Sequence, residues 1–226
     1  MATSEPVAAT LLRSVTEPNG ARLLDLGLVR RALAAPGPEH RSGVEEAVGW
    51  DQGDGHGRPL VRAAVLVPLF EEGGEARVLL TVRAAGLSSH AGQVAFPGGS
   101  IDAGETEEAA ALREAEEEIG LDPAEVEVVA RLERLPTVSS RFVVTPLVGL
   151  LAHRPRLRPQ AGEVEAVFDV ALSELLGEGV QREERWPGPS GEHTVYFYEL
   201  GHHTVWGATA RILNHLLAVV AGYRET

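Results

Sequence analysis

Between Gly98 and Leu121 the chain reads GGSIDAGETEEAAALREAEEEIGL, and its acidic residues recur at helical spacing. At about 100° per residue, Glu114, Glu117 and Glu118 share one helix face. Three carboxylates a turn or less apart repel one another, at a cost on the order of 0.3 kcal/mol per pair even on an exposed helix. A divalent cation against that face removes the conflict, because hard ions such as Mg²⁺ take carboxylate oxygens. Glu116 points away from the triplet and is expected to face solvent. The plainer reading of such a run is a solvated acidic face. Glycine, arginine and glutamate at fixed offsets around the acids favour the metal reading.

Such a face needs a rigid mount. Ala111, Leu112, Ala115 and Ile119 form a neighbouring stripe that would pack on a sheet, and Gly120 stands where a helix ends. The sheet starts at Val61–Phe70, turns at Gly73-Gly74 and returns as Ala76–Arg83. Val126–Leu135 and Phe142–Leu151 read as further strands, Thr194–Leu200 and the run to Trp206 as closing strands. Phe168–Gly177 reads as a short helix that Ser173 would cap if it starts there. Leu23–Ala35 is a helix ended by Pro36 and Pro38, and Ala208–Tyr223 is an amphipathic terminal helix. This order predicts an α/β fold, a mixed sheet covered by helices on both sides. Residues 1–59 are expected to form an N-terminal extension of a loose start, one helix and a polar connection, and residues 60–226 the main domain.

Gly99, Glu105, Arg113-Glu114, Glu117-Glu118 and Gly120-Leu121 together resemble the Nudix box, with every fixed position filled. The resemblance implies hydrolysis of a nucleoside diphosphate linked to another group, on an α/β/α sandwich, with Mg²⁺ or Mn²⁺. It gives Glu114, Glu117, Glu118 and the Gly98 carbonyl the role of metal ligands. It makes Arg113 and Glu105 a pair that locks the loop to the helix.

The preceding stretch, LLTVRAAGLSSHAGQVAFPGG from Leu79 to Gly99, resembles the signature of the coenzyme A pyrophosphatase branch of that family. Leu79, Leu80, Thr81, Arg83, Gly92, Phe96, Pro97, Gly98 and Gly99 carry the likeness. It implies cleavage of coenzyme A to 3′,5′-ADP and 4′-phosphopantetheine. Ser88 stands where the branch usually has arginine, and a missing cation weakens the grip on a phosphate. That keeps ADP-ribose, NADH or a nucleoside triphosphate open as the substrate. Arg83, at a strand end, is suited to fork onto a phosphate, and His90 and Gln93 offer donors on the next loop. Phe96 is expected in the core. The general base stays open among Glu117, Glu118, Glu163 and Glu165. A ligand-sensing Nudix domain without catalysis is the alternative of another class, but such a domain would be expected to have lost box acids, and none is missing.

The 226 residues suffice for one large domain with an extension. Zero cysteines exclude disulfides and thiolate metal sites. A formal net charge of -13 argues against a nucleic-acid backbone binder and leaves a small anionic substrate as the expected partner. No apolar run approaches the ~18 residues of a membrane span, and the first residues lack the pattern of a signal peptide, so a cytoplasmic protein is expected. Ile212, Leu216, Val219 and Val220 on the terminal helix serve either the core or a homodimer contact. Core is the reading adopted, since a helix needs one buried face.

Overall fold

The computed structural model describes residues 24–35, 60–87, 90–137, 141–188 and 191–222. Strands β1 (Val61–Glu72) and β2 (Glu75–Arg83) form the expected hairpin, closed with Glu72 opposite Glu75. From Val61 to Leu69, β1 pairs in parallel with β7 (Phe142–Leu151) on one side, and its Ala63–Val65 stretch pairs antiparallel with β4 (Gly98–Ser100) on the other. β7 also carries β5 (Val126–Arg131) and β6 (Leu135–Pro136), while β2 carries β3 (Val94–Ala95) and β8 (Val164–Ala171). The path through this mixed sheet is β3-β2-β1-β7-β5.

Alternation along β1 builds two cores. Ala64, Leu66 and Phe70 enter one apolar cluster, Ala63, Val67 and Leu69 the other. Helix α2 (Glu107–Ile119) covers the first face. The second is covered by α1 (Leu26–Ala34), the single turn α3 (Leu172–Leu175), α4 (Gly207–Gly222) and a separate sheet. That sheet is β9 (Gln181–Gly188), β10 (Gly191–Leu200) and β11 (His203–Trp206) in the order β11-β10-β9. The α/β sandwich is therefore the expected one, with a small second sheet added to one layer. Ile212, Leu216 and Val220 of α4 are buried, and Val219 is half-buried against them, so that face goes to the core.

Three elements differ from the sequence reading. Val126–Leu135 is not one strand: it breaks after Arg131, where Leu132 donates to the Pro146 carbonyl, and resumes as β6. Phe168–Ala171 finish β8 rather than start a helix, because the edge of β2 offers partners from Arg77 to Arg83. Ser173 is consequently no cap; its hydroxyl bonds Glu75 at 2.9 Å. The closing strands make the separate sheet instead of joining the main one. Leu23, Tyr223 and the polar connection lie outside the described residues.

Helix α1 is anchored firmly. Asp25 caps it by accepting from the Leu28 N–H at 2.6 Å, and Leu28, Val29 and Ala32 enter the main core. Burying a Leu or Val side chain contributes roughly 1.5–3 kcal/mol. The Leu24 carbonyl accepts from Ala76, and Arg30 forks onto Glu127 of β5.

Candidate active site

Local chemistry makes α2 a helix and fixes where it stops. Thr106 caps it, its hydroxyl accepting from the Ala109 N–H at 3.1 Å, an interaction worth about 1 kcal/mol. Gly120 ends it in the left-handed region at φ 65°. Ala110, Ala111 and Ala115 are small enough to seat the helix close on Ala64 and Leu66. The helix lies across the sheet. Its first turn meets β7, where Thr145 bonds Glu107, and its last turn meets the segment leading into β8. There Arg158 and Gln160 donate to the carbonyls of Ile119 and Glu118, a brace with no signal in the local sequence.

The acids divide by environment. Arg113 sits at the centre of three of them, bonding Glu105 at 3.0 Å, Glu114 at 2.8 Å and Glu117 at 3.2 Å, and reaching the Ser100 carbonyl. Its hydrogen bonds to Glu105 and Glu114 drive the guanidinium above its ordinary value. The same contact with Arg113, helped by the Asp102 N–H, holds the Glu105 carboxyl below the usual carboxylate range. Glu117 is more than half exposed, with 57% of its side chain open to solvent, and Glu116 is exposed as expected.

Glu118 is different. Its side chain is only 6% exposed. One oxygen accepts from the Gly98 N–H at 3.2 Å, and the other lies 3.8 Å from the Arg83 guanidinium. Burial pushes this carboxyl up to about 7, with the charges of Glu114 and Glu163 adding to the rise and Gly98 and Arg83 opposing it. Among the described residues, Arg83 keeps a buried Nε with no hydrogen-bond partner. A buried carboxylate short of positive charge therefore stands beside a buried donor short of an acceptor.

Two glycines set this geometry. A Cβ on Gly98, at φ 155°, would come within 2.4 Å of the Ala64 carbonyl oxygen. A Cβ on Gly99 would lie 2.5 Å from the Glu114 carboxylate, so that carboxylate rests against bare backbone. The expected result for Gly99→Ala is displacement of one flexible carboxylate. Turnover should drop about 10²-fold, since misplacement of about 1 Å costs that much. The melting temperature should move by roughly 3 °C or less. Steady-state kinetics beside a thermal melt checks this; unchanged turnover would remove Glu114 from the machinery.

The other candidates are distributed unevenly. Glu163 lies near enough to Glu118 to raise its proton affinity, and its carbonyl accepts from Ala84. Glu165 is exposed on β8, one residue past inward-facing Val164. His90 adopts φ 57°, uncommon for a residue with a side chain, and its Nδ1 lies 2.9 Å from the Gln93 side-chain oxygen. Gln93 in turn accepts from the Arg83 N–H through its carbonyl, tying this loop to the end of β2. Phe96 is buried in the core as expected, and Ser88 lies outside the described residues.

Among the described residues no three acidic, histidine or cysteine side chains converge closely enough to cage an ion. Arg113 accounts for this by holding Glu114 and Glu117 to itself. The donor set nevertheless fits a hard divalent cation: it is all oxygen, and Glu118 lacks sufficient counter-charge. Sequence reasoning missed one further group, the Glu107 carboxylate gathered by Arg62, Arg131 and Arg134. Those residues are far apart in the chain, and only the sheet brings them together. No described helix is long and apolar enough to cross a membrane.

Residues 60–188 match the NUDIX domain family. Nudix hydrolase 22, chloroplastic, of Arabidopsis thaliana is 41% identical over 168 residues, covering 70% of this chain and 55% of that protein. The Nudix hydrolase NudL of Photorhabdus laumondii is 42% identical over 155 residues, covering 68% of this chain and 82% of that one. The match thus spans only about half of the plant relative. The crystal structure of a MutT/nudix family protein from Enterococcus faecalis, 17% identical, superposes with a TM-score of 0.50 over 75% of this chain and 70% of its own, a likeness of fold.

Proposed function

Because the chain belongs to the Nudix hydrolase family, we propose that it hydrolyses the phosphoric anhydride bond of coenzyme A or a coenzyme A derivative. The products are 3′,5′-ADP and 4′-phosphopantetheine. The observation that carries the reading is the pairing of Glu118 with Arg83 at the end of β2. Within Leu79–Gly99, Arg83 at the end of β2 and Gly98 at the start of β4 both reach Glu118.

Glu114, Glu117, Glu118 and the Gly98 carbonyl would hold Mg²⁺ or Mn²⁺, which supplies charge neutralisation and a more acidic bound water. Arg113 retains Glu105 as its partner when Glu114 and Glu117 turn to that task, and so keeps the loop locked to the helix. Arg83 places its buried Nε, unpartnered among the described residues, and its outer nitrogens on a phosphate oxygen of the substrate. His90 and Gln93 stand on the loop that ends against Arg83 and contact the same substrate. In the reaction a water oxygen bonds to phosphorus, the bridging P–O bond breaks, and the bridging oxygen leaves with its electron pair. The water proton passes to a carboxylate. Glu163, close to Glu118, serves as that base better than outward-facing Glu165.

The test is chromatography of products from coenzyme A, ADP-ribose and NADH, each with Mg²⁺, Mn²⁺ or EDTA. Release of 3′,5′-ADP from coenzyme A, ahead of the other two and abolished by EDTA, is the expected result. Faster cleavage of ADP-ribose or NADH would reassign the substrate. No cleavage of any compound would favour a ligand-sensing domain.

A further inference from the structure

Glu107, in the first turn of α2, accepts from four groups. Arg62 reaches one carboxylate oxygen at 3.1 Å, Arg134 at 2.8 Å and the Thr145 hydroxyl at 3.3 Å, while Arg131 reaches the other at 3.3 Å. The Glu107 side chain is 14% exposed. Burial would raise it, but Arg62, Arg134 and Arg131 together hold it below the usual range. One guanidinium would have sufficed to pin the helix to the sheet.

Three on one carboxylate leave a local surplus of two positive charges, in a chain whose formal net charge is -13. Among the described residues these arginines form no ion pair with another acid. The side chains of Arg62, Arg131 and Arg134 are 64%, 54% and 34% exposed. Each contributes a single N–H to Glu107, and a guanidinium carries five donors. The surplus donors therefore open to solvent from a shared, braced base. Planar forks of this kind match the oxygens of a phosphate.

The cluster also lies where the substrate should run. Glu107, Glu114 and Glu118 follow one line along α2 at i, i+7 and i+11, with Glu107 about 10 Å from Glu114 along the axis. Along β1, Arg62 stands three residues from Val65, the partner of Gly98, which is again about 10 Å.

We propose that Arg62, Arg131 and Arg134 form a subsite for a phosphate monoester carried by the same substrate whose diphosphate lies at Glu114 and Glu118. The class of ligand is a nucleoside 5′-diphosphate bearing a second phosphate on its ribose. A ribose separates the two phosphate positions, and long arginine stems close the remaining gap. This assignment rests on the proposed function and narrows it: the enzyme prefers the ribose-phosphorylated substrate to its dephosphorylated counterpart.

Calorimetric titration in EDTA reads the subsite without turnover. Adenosine 3′,5′-bisphosphate, AMP and inorganic phosphate are each titrated into the wild type and into the Arg131→Gln, Arg134→Gln double variant, in which Arg62 and Thr145 still satisfy Glu107. The wild type should bind the bisphosphate at least about 10-fold more tightly than AMP. The double variant should bring that ratio to within about twofold of unity. If the double variant does not fold, Arg62→Gln, at the most exposed of the three, should lower the ratio at least about threefold. A wild-type ratio near one, or a ratio that the variants leave unchanged, overturns the subsite. Inorganic phosphate binding as tightly as the bisphosphate, and lost in the variants, would make it a site for free phosphate and overturn the substrate assignment. Since no bond is cut, failure of the hydrolysis assay and failure of this assay read separately.

Discussion

Glu118→Gln should lower turnover by on the order of 10³-fold or more, about 4 kcal/mol of barrier, while leaving the fold intact. The amide keeps the shape of the carboxylate but cannot supply an anionic ligand or accept a proton. A companion measurement separates this role from a structural one. In EDTA the wild type carries a carboxyl that burial has pushed up to about 7, against about 4.3 in the unfolded chain. An acid raised by folding contributes stability only while it is protonated, so the wild type loses stability as pH climbs from about 4 through 7. The variant carries no such group. It should therefore melt above the wild type at pH 8 in EDTA, with the gap closing as pH falls toward about 4. Full activity in the variant would sink the assignment, and a gap independent of pH would show that the carboxyl is not desolvated.

Gly98→Ala should be the most damaging single-methyl change in the site. The added carbon meets backbone on two sides, the Ala64 oxygen at 2.4 Å and the Val65 Cα at 2.6 Å, at a φ of 155° that side chains rarely adopt. Neither neighbour is the movable end of a side chain. Relief requires β4 to peel from β1, which removes the Gly98 N–H from Glu118 as well. We expect a loss of about 3–5 kcal/mol, a fall in melting temperature of roughly 10 °C, and activity below a tenth of wild type. A thermal melt within roughly 2 °C of wild type would show that β4 does not pack on β1 as described.

Gly98 also marks how far the sequence was legible. The glycines, the Thr106–Gly120 helix and the β1–β2 hairpin announce themselves through local rules: turn residues, a helix stop, a period of apolar positions. β7 was readable for the same reason, as a continuous apolar run. The misread segments are those in which distant partners decide. Phe168–Ala171 has helical periodicity, yet β2 offers it a ladder. β9, QREERWPG, went unread for another reason: it has almost no apolar pattern, and its neighbour β10 holds it as a strand in a local hairpin, Gly188 opposite Gly191. In the site, the lock between Glu105 and Arg113 was legible through family likeness. The burial of Glu118 relative to Glu117 was not, because it depends on how closely β4 and the Arg158–Gln160 segment close over the helix end. The gathering of Arg62, Arg131 and Arg134 on Glu107 was equally out of reach, being a product of sheet register.

The placement of α1 bears on how the molecule can be dissected. Family likeness covers residues 60–188, and that interval contains every proposed catalytic group. Its core is not closed within it. Leu28 and Val29 from before it, with Leu213 and Leu216 from after it, wall the same core as Val67, Leu69, Val78 and Leu80 within it. Trimming the chain to the matched interval would bare that layer as a contiguous apolar surface, an invitation to aggregation. The apolar core thus extends beyond the segment by which the kinship is recognised, and the two flanking helices belong to it as structural walls.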